Sequence, residues 1–70
     1  MEVQLSTREI YNQVVRFIDK NKETLEYRDG STEYKIKGGG CVIVYNNMKL
    51  FFVGLDDKIK KNLLKLIGTN

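Results

Sequence analysis

Seventy residues, a formal charge of +3, 41% apolar side chains and a single cysteine describe one small domain, residues 1–70. One cysteine cannot form an intrachain disulfide. Without histidine there is no Ser-His-Asp or Cys-His set and no ordinary zinc site, so neither an enzyme nor a bound cofactor or metal is expected.

A chain this short buries only about 60% of the surface its unfolded form exposes, and its own core supplies ~3–5 kcal/mol. Oligomerisation is a natural supplement once disulfides and metals are set aside. No segment reaches the ~18 apolar residues that span a bilayer. Met1-Glu2-Val3-Gln4 lacks the basic start and apolar run of a signal peptide, so a cytoplasmic setting is expected. The chain is rich in Lys, Asn and Ile and has no Pro, His or Trp, as in AT-rich genomes of low-GC bacteria and their phages. For a viral protein the setting would be the host cytoplasm.

The first element is announced by Leu5-Ser6-Thr7-Arg8-Glu9-Ile10. Ser6 followed by Glu9 is a capping box, with Leu5 and Ile10 at hydrophobic-staple positions. A helix is predicted from there to about Lys20. Ile10, Tyr11, Val14, Val15, Phe17 and Ile18 make a broad apolar face suited to packing on a sheet.

Two alternating stretches follow, Thr24 to Arg28 and Thr32 to Lys37, separated by Asp29-Gly30. This is a strong two-residue hairpin signal, with positive φ expected at both loop positions. Arg28 then faces Ser31, Tyr27 faces Thr32 and Leu25 faces Tyr34. One side is apolar, and the other carries Glu26, Arg28, Glu33, Lys35 and Lys37.

Gly38-Gly39-Gly40 interrupts before a second hairpin, Cys41 to Tyr45 and Met48 to Val53, turning at Asn46-Asn47. With a two-residue turn there, Cys41, Ile43, Tyr45, Met48, Leu50 and Phe52 share one face. Val42, Val44, Phe51 and Val53 share the other, and only Lys49 on that face is polar. This hairpin is apolar on both sides. Cys41 reads as a buried, inert thiol.

Asp56-Asp57 then starts a last helix, with Ile59, Leu63, Leu66 and Ile67 as its stripe and Gly68 as its stop. The expected fold is therefore α+β: an N-terminal helix, a four-stranded antiparallel meander of two β-hairpins, and a C-terminal helix (α-β-β-β-β-α). The helices either cover both faces of the sheet or lie side by side on one.

If they share one face, Val42, Val44, Phe51 and Val53 stand exposed as a protein interface. That favours a small protein-binding module, a homodimer or a binder of a host protein, in the manner of a phage or mobile-element inhibitor. The alternative rests on charge. Up to Glu33 there are five basic and seven acidic residues, and from Tyr34 on there are seven and two. Lys35, Lys37, Lys58, Lys61 and Lys65 are the nucleic-acid candidates of this basic half. A weaker alternative is a small nucleotide held by backbone amides of Gly38 to Gly40. The P-loop spacing is absent, however, and a strand rather than a helix follows the glycines.

Overall fold

The computed structural model describes residues 1–68. It has a five-stranded antiparallel sheet in the order β1-β5-β4-β3-β2 and two helices. The elements are β1 (Glu2–Gln4), α1 (Arg8–Lys20), β2 (Lys22–Arg28), β3 (Ser31–Ile36), β4 (Cys41–Tyr45), β5 (Lys49–Val53) and α2 (Asp57–Ile67). The α+β class and the two-hairpin meander are as expected. The strand count is five rather than four, because the first residues add β1 beside β5.

Three residues are too few to carry a legible alternation. What holds β1 is its ladder: Val3 lies opposite Leu50, the Phe52 amide donates to the Met1 carbonyl at 2.9 Å, and the Leu5 amide donates to the Met48 carbonyl at 2.9 Å.

That last bond also shifts the start of α1. The chain is still following the sheet at Leu5, so the helix is capped one residue later than the capping box suggests. Thr7, not Ser6, is the N-cap; its backbone is extended and its Oγ1 accepts the Ile10 amide at 3.1 Å. At the other end of α1, Asn21 joins the helix to β2 without a loop. Its Nδ2 donates to the Phe17 carbonyl at 2.8 Å, and its own carbonyl accepts the Lys37 amide at 3.0 Å. In α2, Gly68 takes the left-handed C-cap position with φ of 89°, as the sequence predicts.

The first hairpin has the expected register: Arg28 pairs with Ser31, Tyr27 with Thr32 and Leu25 with Tyr34. Only Gly30 takes a positive φ, however, so the turn asks less of Asp29 than expected. The second hairpin departs further. Val44 pairs with Leu50 and Val42 with Phe52, so the loop holds Asn46, Asn47 and Met48, and Met48 is the residue at φ 65°. A three-residue loop shifts β5 by one position relative to a two-residue turn, which turns every β5 side chain over.

One hydrophobic core results. Val42, Val44, Leu50, Phe52, Tyr34 and Ile36 line the inner face of the sheet, and Val14 and Ile18 of α1 and Leu63 of α2 press onto it. Val14, Leu50 and Leu63 are fully inaccessible. Each such side chain contributes on the order of 1.5–3 kcal/mol by leaving water. The two helices pack against each other over this one face, and the opposite face of the sheet carries none. No polar or charged residue is buried among those described.

Candidate binding surface

The register places the outward residues of the sheet in three rows across the strands. The middle row runs Glu2, Phe51, Ile43, Glu33, Glu26 from β1 to β2. On one side of it lie Val53, Cys41, Lys35 and Thr24. On the other side lie Gln4, Lys49, Tyr45, Ser31 and Arg28. Five apolar side chains therefore fill the two adjacent strands β4 and β5: Cys41, Ile43, Tyr45, Phe51 and Val53. Val53 is 53% exposed, and the other four are partly exposed.

The four residues expected to form an interface are divided by this arrangement. Phe51 and Val53 stand on the open face. Val42 and Val44 belong to the core, at 1% and 4% exposure, and are not available as surface. The cause is the extra residue in the 46–48 loop. It brings Phe51 and Val53 beside Ile43 and Cys41 rather than beside Val42 and Val44. Sequence reasoning missed Ile43 and Tyr45 for the same reason. Cys41 is a free thiol on the open face, not a buried one, because no helix covers that side of β4.

The open face is bordered by charge. Arg28 of β2 bridges Glu33 of β3 at 2.8 Å and Glu26 of its own strand at 3.3 Å; the shared arginine is open to water, whereas the Glu33 side chain is only 19% exposed. Such pairs orient side chains and add little stability. The ends of the sheet are poor templates for strand addition. β1 is three residues long, and β2 has a bulge between Lys22 and Thr24 and is rich in charge.

The basic candidates do not form one patch. Lys35 projects from the open face of the sheet, opposite Cys41 and Thr24. Lys37 follows the end of β3. Lys58, Lys61 and Lys65 are exposed on α2, at the i, i+3, i+7 spacing that aligns them in one ridge about 10 Å long. The ridge lies in the helical layer, on the far side of the molecule from Lys35. Among the tyrosines, Tyr27 is 79% exposed beyond the reach of the helices, whereas Tyr34 is buried at 7%. Burial pushes the Tyr34 phenol above the ordinary tyrosine value, with the charge of Asp19 adding to the effect.

The glycine run serves the connection between the hairpins. Gly38, Gly39 and Gly40 all have positive φ. The Gly39 amide donates to the Ile36 carbonyl at 3.0 Å, and the Ile36 amide donates to the Gly40 carbonyl at 3.1 Å. A Cβ on Gly40 would stand 2.5 Å from the backbone of Gly54, so this corner brings two main chains into direct contact. Two of the run's backbone groups, the Gly39 amide and the Gly40 carbonyl, thus close its own turn.

Between the helices runs a shallow apolar groove of about 290 Å³, lined by Phe17, Asn62, Lys65 and Leu66. No cluster of three or more His, Cys, Asp or Glu side chains able to hold a metal gathers among the described residues. No helix among them is long and apolar enough to cross a membrane. Compared with known families, with curated proteins and with solved structures, the chain matches none.

Proposed function

We propose that this chain is a non-enzymatic protein-binding module whose working surface is the uncovered face of its sheet. The observation that carries this reading is the patch of five apolar side chains on β4 and β5 with no helix above them. A folded chain of this size has few apolar residues to spare, and it places Phe51 and Ile43 at the centre of a face open to water. Aromatic and aliphatic residues at the middle of a patch with charges at its border are the ordinary anatomy of a binding surface. Immobilised protein and its Phe51→Asp variant test this. The wild type should retain a cellular protein or a further copy of itself, and the variant should lose it while keeping its far-UV circular dichroism. Equal retention by both would refute the reading.

A second reading keeps nucleic acid as the ligand, favoured by the single exposed ridge of Lys58, Lys61 and Lys65. Binding to random DNA or RNA should then weaken steeply as salt rises and vanish when the three lysines are changed to glutamate. Binding that ignores salt would count against it.

A further inference from the structure

We infer that the groove between α1 and α2, with the lysines on its banks, receives an acidic amphipathic helix of another protein. This surface belongs to the helical layer, on the far side of the molecule from the open sheet face, and goes beyond the reading given to that face.

Charge is the first support. The outward residues of the sheet balance, Glu2, Glu26 and Glu33 against Arg28, Lys35 and Lys49. In α2 the four lysines Lys58, Lys60, Lys61 and Lys65 stand against Asp57 alone, a net +3 that equals the net charge of the whole chain. Among the described residues none of the four lysines joins an ion pair. Lys58 lies in the first turn of α2, where the helix dipole disfavours a cation. Lys58, Lys61 and Lys65 also repel one another at i, i+3 and i, i+4 spacing. They weaken the helix that carries them, so helix formation does not account for where they stand.

The groove is the second support. Its floor is apolar, from Phe17 and Leu66, and its banks are basic on both sides. Lys65 lines it directly, Lys58 stands one turn before the lining residue Asn62, and Lys20 stands one turn after Phe17 on α1. Asp19, the acid beside Lys20 in the chain, is held by Lys22 at 2.7 Å. An apolar groove between cationic banks is the complement of a helix with an apolar stripe and carboxylates on its flanks. Aliphatic residues at i and i+3 or i+4 of such a helix fill the groove, and Asp or Glu beside them reach the lysines. The ridge from Lys58 to Lys65 follows about two turns of it.

Nucleic acid satisfies the ridge but not the groove. Phosphates would neutralise the lysines and leave Phe17 and Leu66 to water. Bases take apolar ground by stacking on an open ring face, whereas Phe17 lies partly buried in the floor of a groove. Arginine, whose planar fork reads bases and phosphates, is absent from α2.

The test is selection from a displayed library of random peptides about 15 residues long, roughly four helical turns, against the immobilised chain. Fluorescence anisotropy then measures the enriched peptides and, as the rival probe, a single-stranded oligothymidylate. Enriched peptides should be acidic, with aliphatic residues at helical spacing, and their affinity should fall as salt rises. Lys58→Glu, Lys61→Glu and Lys65→Glu together should weaken them at least about tenfold. Asn62→Tyr, which fills the groove without changing charge, should weaken them about tenfold as well. Both variants alter exposed residues and should keep the circular dichroism of the wild type. Phe51→Asp, on the other face, should change nothing. A selection that enriches no peptide overturns the inference, as do enriched peptides that are neutral or basic. Peptides that bind both groove variants as tightly as the wild type also overturn it. If Phe51→Asp alone releases them, the open face is the binding surface and the groove is not. An oligothymidylate that binds more tightly than any peptide and ignores Asn62→Tyr overturns it too, and the ridge then belongs to nucleic acid.

Discussion

The β2–β3 hairpin and the β4–β5 hairpin sit in one sheet under the same two helices, yet they treat their outer faces differently. The first turns Glu26, Arg28, Glu33 and Lys35 outward and joins three of them in ion pairs. The second turns Cys41, Ile43, Tyr45, Phe51 and Val53 outward, with Lys49 its one charge. Their inner faces are alike: Tyr34 and Ile36 in one, Val42, Val44, Leu50 and Phe52 in the other, all buried. Core formation therefore accounts for the inner residues of both hairpins and for the outer residues of neither. The first hairpin's outer residues are those of a solvated sheet. Those of the second are unexplained until something covers them.

The sharpest way to break this contrast is within β5 itself, between neighbours. Leu50→Asp places an unpaired carboxylate in the core and should cost about 4 kcal/mol or more, enough to unfold a domain of this size. Phe51→Asp, one residue on, should cost under about 1 kcal/mol in the isolated chain. Urea denaturation followed by circular dichroism measures both. Similar losses at the two positions would mean that the faces are not distinct.

Next comes the joint between the hairpins. Gly40→Ala adds a methyl group 2.5 Å from the Gly54 backbone at a φ of 82°, and about 3 kcal/mol of destabilisation is expected. Gly39→Ala meets open space and should show only the conformational cost, about 1 kcal/mol. The urea midpoints of the two variants should separate accordingly.

The inner face of the first hairpin is open to titration. Folding raises the Tyr34 phenol above its unfolded value, so the fold favours the neutral form. That contribution is complete below the unfolded value of about 10 and is lost as pH climbs through the folded one. Absorbance titration should show one late-ionising tyrosine that disappears in Tyr34→Phe, and melting temperature should fall over the same alkaline window.

The smallest effect belongs to the ion pairs. A double-mutant cycle on Arg28→Ala and Glu33→Ala should give a coupling of about 0.2–1 kcal/mol that fades with salt. A larger coupling would mean that the outer face of the first hairpin also contributes to the fold.

The contrast also explains what could be read from the residues alone. Alternation in the first hairpin had a polar side and an apolar side, so a one-residue error would have put charges in the core. The pattern enforced its register, with Asp29-Gly30 marking the turn. In the second hairpin either register satisfies the pattern, because both faces are apolar. The deciding residue is Met48, whose left-handed φ is not signalled by its side chain, as a glycine's or asparagine's would be. Hence the alternation groups Val42 and Val44 with Phe51 and Val53, although they lie on opposite sides of the sheet. The helices' own stripes were legible, but a stripe states only that a helix needs a surface, not which one. β1 was illegible because three residues show no period, and the helix cap moved to Thr7 because β1 reaches to Leu5.

The loop from Asn46 to Met48 has a consequence for how this chain tolerates insertions and deletions. Loop tips usually absorb single-codon changes in length. Here the number of loop residues acts as a parity: removing one would let β5 close a tight turn only by turning over. Leu50 and Phe52 would then point outward, and Phe51 and Val53 would point under the helices. Because both sets are apolar, the inverted hairpin would still offer the helices a hydrophobic surface. It would exchange the side chains displayed on the open face without a single substitution in the strands.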